Sequence, residues 1–255
     1  MSLSPALALY LAGSEMAGPA ARRLLARRAA RGKEDPDRLG ERLGRPSAQR
    51  PAGPLVWLHG ASVGEGLAAL AVAGALRGAR PDVSALVTAG TRSAAQLLTA
   101  RAEPGLVHQY APVDVAPALR RFLAHWRPAA AARIDSELWP ATLIETARTG
   151  APLLLLNGRI SERSAARWRR APRMARALLA CFDRILAQDA EAAERFRALG
   201  ADSARIDLGG PLKAAAPPPE ADPAALAALR TALAGRPVWL AASTHPGEEA
   251  LALDA

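Results

Sequence analysis

Short apolar strands alternating with helical patterns make this 255-residue chain an α/β protein built on a parallel sheet. Three observations predict it. The strand candidates are continuously apolar, as strands covered on both faces are. A glycine-rich turn, "WLHGASVGEG" at Trp57–Gly66, joins the first of them to a helix-like stretch. The polar residues able to do chemistry gather in segments that follow strands, where sheets of this kind bind ligands.

The N-terminal stretch, residues 1–34, opens with an apolar run from Leu3 to Gly13. The run is too short to span a bilayer, is broken by Pro5 and lacks the basic start of a signal peptide. Beyond it Leu24, Leu25, Ala29 and Ala30 alternate with Arg22, Arg23, Arg27, Arg28 and Arg31. This is a basic amphipathic helix, suited either to an anionic membrane surface or to packing on its own domain. Charge, glycine and proline make residues 35–54 a connector. Residues 55–213 then hold a Rossmann-like pattern. The strands are Leu55–His59, Val83–Val87, Leu106–Gln109, Ala129–Ile134, Leu153–Asn157, Arg184–Ala187 and Arg205–Leu208. Between them lie helices at Leu67–Leu76, Ser93–Arg101, Ala116–His125, Leu138–Arg148, Glu162–Ala180 and Ala190–Leu199. Gly150 and Gly200 stand where helices end, and Ser161 is placed as an N-cap. The triple proline of residues 214–223 is a stiff linker. Residues 224–255 give a helix at Ala224–Leu233, a strand at Val238–Ala242 and the start of another helix, which reads as a truncated second α/β domain.

Net charge is +9 and the basic residues are nearly all arginine; Lys33 and Lys213 are the lysines. A GC-rich genome, which favours Arg and Ala codons, explains most of that composition, yet the surface field it creates attracts anionic partners. Nucleic acid is the weaker choice among these. The sequence carries no helix-turn-helix, RNP or zinc signature, and aromatics are not interleaved with the arginines apart from Trp168. Cys181 stands alone, so no intrachain disulfide forms. The four histidines, His59, His108, His125 and His245, have no ligand spacing, and neither a metal nor a cofactor is expected.

The loops to inspect are His59–Glu65, Thr88–Arg92, Asp135–Trp139 and Asn157–Ser161. Gly60, Gly64 and Gly66 do not fit GxGxxG, and no GK[ST] follows. Glu65 at the helix start is either an ordinary first-turn acid favoured by the macrodipole or a general base at a strand's end. Glu137, in "DSELWP", places a second acid at another strand end. Arg159 and Arg163 stand nearest the end of the fifth strand and are candidates to hold an anion, since guanidinium binds phosphate bidentately. Ser62, Gly64 and Thr91 are further candidates for substrate contact in these loops. Lys213 ends "GGPLK", at a strand exit.

Taken together, "HGASVGE", "VTAGTRSAA", "YAPVD", "SELWP", "NGRISERS", "LAQDAEAAERFRALGA", "GGPLK" and "AASTHPGEE" stand in the order seen in Kdo transferases. These are the 3-deoxy-D-manno-octulosonic acid transferases of lipopolysaccharide synthesis, and the resemblance runs over roughly residues 20–253. It implies a GT-B fold: two Rossmann-like domains, the N-terminal one for a lipid A precursor and the C-terminal one for CMP-Kdo. It also implies inverting, metal-independent transfer at the cytoplasmic face of the inner membrane. By the same resemblance Glu65 matches the catalytic base, and Glu137 and Lys213 match positions that stabilise the transition state. The chain departs from the family's "GNLK" in having Gly210 and Pro211 before Leu212. It also lacks the donor-binding segments that follow "STHPGEE" in the family. Three alternatives stand beside the transferase: an inactive acceptor-binding remnant, a GT-B enzyme for another nucleotide sugar and, least favoured, a basic nucleic-acid-binding module.

Overall fold

A computed structural model describes residues 4–101, 103–135, 138–212 and 221–253. It divides into two compact units, Met1–Ala216 and Pro217–Ala255.

The first unit is built on seven parallel strands: β1 Leu55–Gly60, β2 Ser84–Ala89, β3 Leu106–Tyr110, β4 Ala130–Ile134, β5 Leu153–Gly158, β6 Arg184–Ala187 and β7 Ile206–Leu208. Their spatial order is β3-β2-β1-β4-β5-β6-β7. The order reverses between β1 and β4, which leaves a crevice at their carboxyl ends. Along each strand the side chains alternate between two cores. Leu55, Trp57, Leu86, Ala131, Leu153 and Leu155 enter one; Leu58, Ala85, Val87, Ala132 and Ile134 enter the other. With both faces covered, no polar alternation survives in the strands, which is why they read as continuous apolar runs.

Helices α1 Pro5–Met16, α2 Gly18–Ala30 and α3 Leu39–Arg42 precede the sheet. In α1, Leu7 and Leu11 are buried, and the helix packs on α6 Ala116–Trp126 and α7 Pro140–Arg148. The N-terminal stretch is therefore in part an ordinary packed element. Helices α4 Val63–Ala79 and α5 Arg92–Ala100 cover the opposite face of the sheet. The helix expected over Glu162–Ala180 is two, α8 Glu162–Arg169 and α9 Pro172–Leu179. Pro172 clashes with a continuing helix and forces Ala171 out of it, to φ −132° and ψ 59°. Helix α10 Ala190–Ala198 ends near Gly200, which, like Gly150, has positive φ as expected of a helix terminator. Ser161 caps α8 by accepting from the Ser164 N–H.

In the second unit Asp222 caps α11 Pro223–Leu233, and α12 Glu248–Leu253 follows. Val238–Ala242, expected as a strand, forms none. Among the described residues of this unit no second strand is present to pair with it, and an unpaired strand gains no ladder of hydrogen bonds.

Candidate active site

Gly60 ends β1, and a side chain there would put a Cβ 2.5 Å from the Glu65 carbonyl carbon. Glycine lets the first turn of α4 fold back onto the strand. Ser62 caps that turn, and Glu65 completes a capping box. Its Oε2 accepts from the Ala61 N–H at 2.6 Å and the Ser62 N–H at 3.4 Å; its Oε1 accepts from the Ser62 hydroxyl at 2.9 Å. The structural reading of Glu65 is thus realised in full. Gly64 lies in the same turn, half-buried. Thr91 caps α5 by accepting from the Ala94 N–H. The Gly90 N–H donates to the Ala61 carbonyl at 3.2 Å and ties the two loops together.

A cavity of about 450 Å³ opens over the carboxyl ends of β1 to β4. Arg133 on β4 and His59 on β1 line it, and the strand register continues their polar row away from the cavity through Thr88 on β2 and Gln109 on β3. All four are buried. The Thr88 hydroxyl accepts from Trp57 Nε1 at 2.9 Å and lies 2.9 Å from His59 Nδ1. Gln109 accepts from Trp126 Nε1 at 3.0 Å. The walls come from Leu24, Leu25 and Arg28 of α2, from Glu34 and Arg42, and from the segment Ala111–Asp114. Thr91 lines it too; Glu65 does not. At the rim, Leu24 and Trp139 are 57% and 46% exposed, leaving apolar surface at the mouth of a basic hollow.

Two acids organise the walls. Glu34, 2% exposed, pairs with Arg28 Nε at 2.7 Å and with Arg42 Nε at 3.3 Å. Asp114 accepts from the Ala141 and Thr142 N–H groups, from the Thr142 hydroxyl at 2.6 Å and from the Tyr10 phenol at 2.8 Å. It caps α7 from a distant loop and pins α1 beside it. Burial, with the Asp114 charge, pushes the Tyr10 phenol well above its ordinary value, so Tyr10 stays protonated as a donor.

On the other side of the crevice, Arg159 pairs with Asp135, its Nη2 2.9 Å from Oδ2. Asp135 also accepts from the Asn157 amide at 2.5 Å, and the Asn157 Oδ1 accepts from the Leu212 N–H at 3.0 Å. Asp135 and Asn157 have φ of 60° and 54°, a backbone region open to such short polar side chains. Arg163 is exposed on α8. Glu137 and Lys213 lie outside the described residues. Cys181 is buried, which pushes its thiol up to about 11 and removes it as a nucleophile.

Ser62, Gly64, Glu65 and Thr91 therefore gather at the ends of β1 and β2, while Arg159 stands apart with Asp135. The arginines of the cavity are Arg28, Arg42 and Arg133, not Arg159 or Arg163. One signal pointed to Arg133: a charge inside the apolar strand "AAARI", one residue from its end. Arg28 stood out only as one cation of the basic amphipathic helix, and Arg42 and Glu34 gave no signal, since they sit in or beside a stretch with the composition of a linker.

A parallel sheet in this order, with a cavity beside its switch point, defines a Rossmann-like α/β domain. The chain belongs to the 3-deoxy-D-manno-octulosonic-acid transferase (kdotransferase) family, whose model matches residues 37–216. It is 36% identical to a probable mitochondrial 3-deoxy-D-manno-octulosonic acid transferase of Arabidopsis thaliana, over 88% of this chain and 51% of that protein. It is 38% identical to the 3-deoxy-D-manno-octulosonic acid transferase of Rickettsia felis, over 78% of this chain and 42% of that one. The chain thus spans about half the length of the curated relatives it matches. Among solved structures, Anabaena HepE in complex with UDP matches with a TM-score of 0.48 and 14% identity, over 71% of this chain and 50% of that one.

Proposed function

We propose that this chain is the acceptor-binding part of a GT-B glycosyltransferase that moves Kdo from CMP-Kdo to a sugar hydroxyl of the lipid A precursor, with inversion and without metal. Family membership supports the sugar transferred. The observation that carries the acceptor assignment is the cavity beside the switch point, basic inside and apolar at its rim. A phosphorylated glycolipid has the matching polarity: an anionic sugar head and an apolar body.

In this reading Glu65 is the general base. Its Oε2 stays bonded to backbone N–H groups, which fixes the carboxylate. Its Oε1 holds only the exposed Ser62 hydroxyl, which can rotate away and leave that oxygen to the acceptor hydroxyl. The proton moves to Oε1 as the acceptor oxygen attacks the anomeric carbon and the CMP phosphate departs. Glu137 and Lys213 are assigned on the family motifs alone: a carboxylate beside developing oxocarbenium charge and a cation beside the departing phosphate. Ser62, Gly64 and Thr91 are assigned to the acceptor side, with Arg159 and Arg163 toward the anionic donor. The enzyme works peripherally on the cytoplasmic face of the inner membrane. No described helix is long and apolar enough to cross a membrane.

The test is binding of the tetra-acylated lipid A precursor to the purified chain at near-physiological salt, with Glu65→Gln beside it. Saturable binding, kept in the variant, is expected, because the base acts on the proton and not on affinity. Binding no tighter than to vesicles of any anionic lipid overturns the acceptor assignment.

A further inference from the structure

Three chain ends at the carboxyl edge of the sheet meet at one side chain, Asn157. The ladder between β4 and β5 closes at Ile134 and Leu156, and the Asp135 N–H donates to the Leu156 carbonyl at 3.1 Å. Asp135 and Asn157 therefore stand side by side where the two strands finish, both with positive φ. The register of β5 on β6 slips between Leu155 and Gly158, where three steps along β5 face two along β6. A bulge of this kind re-aims a side chain and recurs beside active sites. The chain beyond β7 returns to the same place. The Gly209 N–H donates to the Ala187 carbonyl at 2.9 Å and Gly210 turns with φ 68°. Leu212 then lies back across β6, packed against the core that holds Ala132 and Ile134.

Asn157 joins these ends. Its Nδ2 donates to Asp135 Oδ1 at 2.5 Å, and its Oδ1 accepts from the Leu212 N–H at 3.0 Å. The partners set the orientation of the amide: a carboxylate takes only a donor, and an N–H takes only an acceptor. The other oxygen of Asp135 accepts from Arg159, from Nε at 3.2 Å and Nη2 at 2.9 Å. The buried Asp135 is thus gripped through both oxygens, and its charge strengthens each bond. Asparagine is the shortest side chain with a donor and an acceptor on one planar group, and it tolerates the left-handed backbone found here.

We propose that Asn157 is a positioning residue for the transfer: its carboxamide fastens the exit of β7 to the end of β4. Glu137 stands two residues after Asp135 in the sequence, and Lys213 directly follows Leu212. The loop leading to the acid and the segment leading to the cation thus start from one frame. Groups acting on the same reacting centre need such a frame, since a misplacement of about 1 Å costs on the order of a hundredfold in rate. The catalytic consequence rests on the function read above; the tie itself rests on the geometry.

The Leu212 amide reports the tie directly. Asn157→Gly accepts the positive φ without strain and should speed Leu212 hydrogen exchange by about tenfold, the loss of one hydrogen bond. Asn157→Asp keeps an acceptor for Leu212 but sets two carboxylates together, which loosens Asp135. Adding Asp135→Asn returns a donor: the amide then stands at position 135 and the carboxylate at 157, with the net charge of the parent. In the full-length enzyme, given CMP-Kdo and the tetra-acylated precursor, kcat should fall by about tenfold or more in Asn157→Gly and in Asn157→Asp, and return to within about threefold in the paired variant. The KM for the acceptor should not move, whereas a merely structural loss would lower the melting temperature and would not return with the pair. Leu212 exchange that ignores Asn157→Gly overturns the tie. In an active enzyme, single variants with the parent's kcat, or a paired variant no better than Asn157→Asp, overturn the positioning role. A parent that transfers nothing from CMP-Kdo removes the function read above and the catalytic role with it, while Leu212 exchange still decides the tie.

Discussion

Glu65 closes the first turn of α4 with both carboxylate oxygens, and the same carboxylate is the proposed base. The two roles separate under substitution. Glutamine at this position still accepts from the Ala61 N–H, so Glu65→Gln should leave stability within about 0.5 kcal/mol of the parent. Glu65→Ala removes the box and should cost about 1 kcal/mol. Transfer by the full-length enzyme should be lost in both. Chemical denaturation beside a transfer assay reads this out, and a glutamine variant with full activity would remove Glu65 as base. His108 gives a pH dependence. Its Nδ1 donates to the Val87 carbonyl at 3.0 Å, and its Nε2 is buried with no hydrogen-bond partner among the described residues. Burial, helped by the Arg38 charge and opposed by the Val87 carbonyl and Glu41, pulls the imidazole down to about 4 from 6.5. The folded state therefore refuses a proton that the unfolded chain takes up. Stability is unaffected above pH 6.5, falls as pH drops from 6.5 toward 4, and loses at most roughly 3 kcal/mol. Urea midpoints at pH 7.5 and pH 4.5 should differ less in His108→Gln; an equal difference would assign the loss to other groups. Neither histidine nor capping box could be told apart from chemistry in the sequence, because a partner four residues away and a partner on the next strand leave the same letters.

Helix α3 and its flanks show how a stretch with linker composition becomes a fixed element. Glu41, 1% exposed, accepts from Arg38 through Nε at 2.8 Å and Nη2 at 2.9 Å, from the Ser47 hydroxyl at 2.6 Å and from the Tyr110 N–H at 2.6 Å. One acid thus fastens this stretch to the carboxyl end of β3, under the arginines of the cavity. Glu41→Ala leaves Arg38 and the Tyr110 N–H short of a partner and should cost about 3 kcal/mol, measured by urea denaturation. Gly44 ends α3 with φ 78°, and a Cβ there would stand 1.9 Å from the Ala118 carbonyl oxygen of α6. No rotamer relieves a clash with backbone. Gly44→Ala should cost at least about 2 kcal/mol and lower the melting temperature, whereas Gly40→Ala, whose Cβ would meet only Arg45 Cβ at 3.7 Å, should be tolerated. Charge and glycine are the usual marks of a flexible segment; here the charge is paired internally and the glycine permits close approach. Composition reports neither. The break at Pro172, where one helix was expected, has a local cause in the ring's clash; the fastening of α3 has none in its own stretch, since its partners lie on β3 and α6.

The whole sheet was legible because a strand buried on both faces announces itself as an apolar run, and each loop after such a run had to lie on one edge. What the sequence left out was the third dimension of the basic surface. Arginines spread along the chain from Arg22 to Arg236 give the same net charge whether they line a cavity or face solvent. The structure divides them. Arg28, Arg42 and Arg133 turn inward, while Arg22, Arg23, Arg27 and Arg31 stay exposed on and after α2, with Leu24 beside them. Leu9 and Met16 of α1 are exposed as well. Exposed cations next to exposed aliphatic side chains suit the headgroup layer of an anionic bilayer, where charge draws the protein in and apolar contact holds it. The two contributions respond differently to salt. Each arginine near such a surface is worth about 1 kcal/mol, so Arg22→Gln with Arg23→Gln should weaken binding to phosphatidylglycerol-containing vesicles by about thirtyfold at low salt. The loss should shrink as salt rises, because screening removes from the parent what the variant already lacks. Leu24→Ser with Met16→Ser should instead weaken binding by a similar factor at every salt concentration, since burial of aliphatic surface is not screened. Vesicle co-sedimentation across a salt series gives both slopes. If the serine pair leaves binding unchanged, the chain meets the membrane through charge alone, and the apolar rim at Leu24 faces the acceptor and not the bilayer.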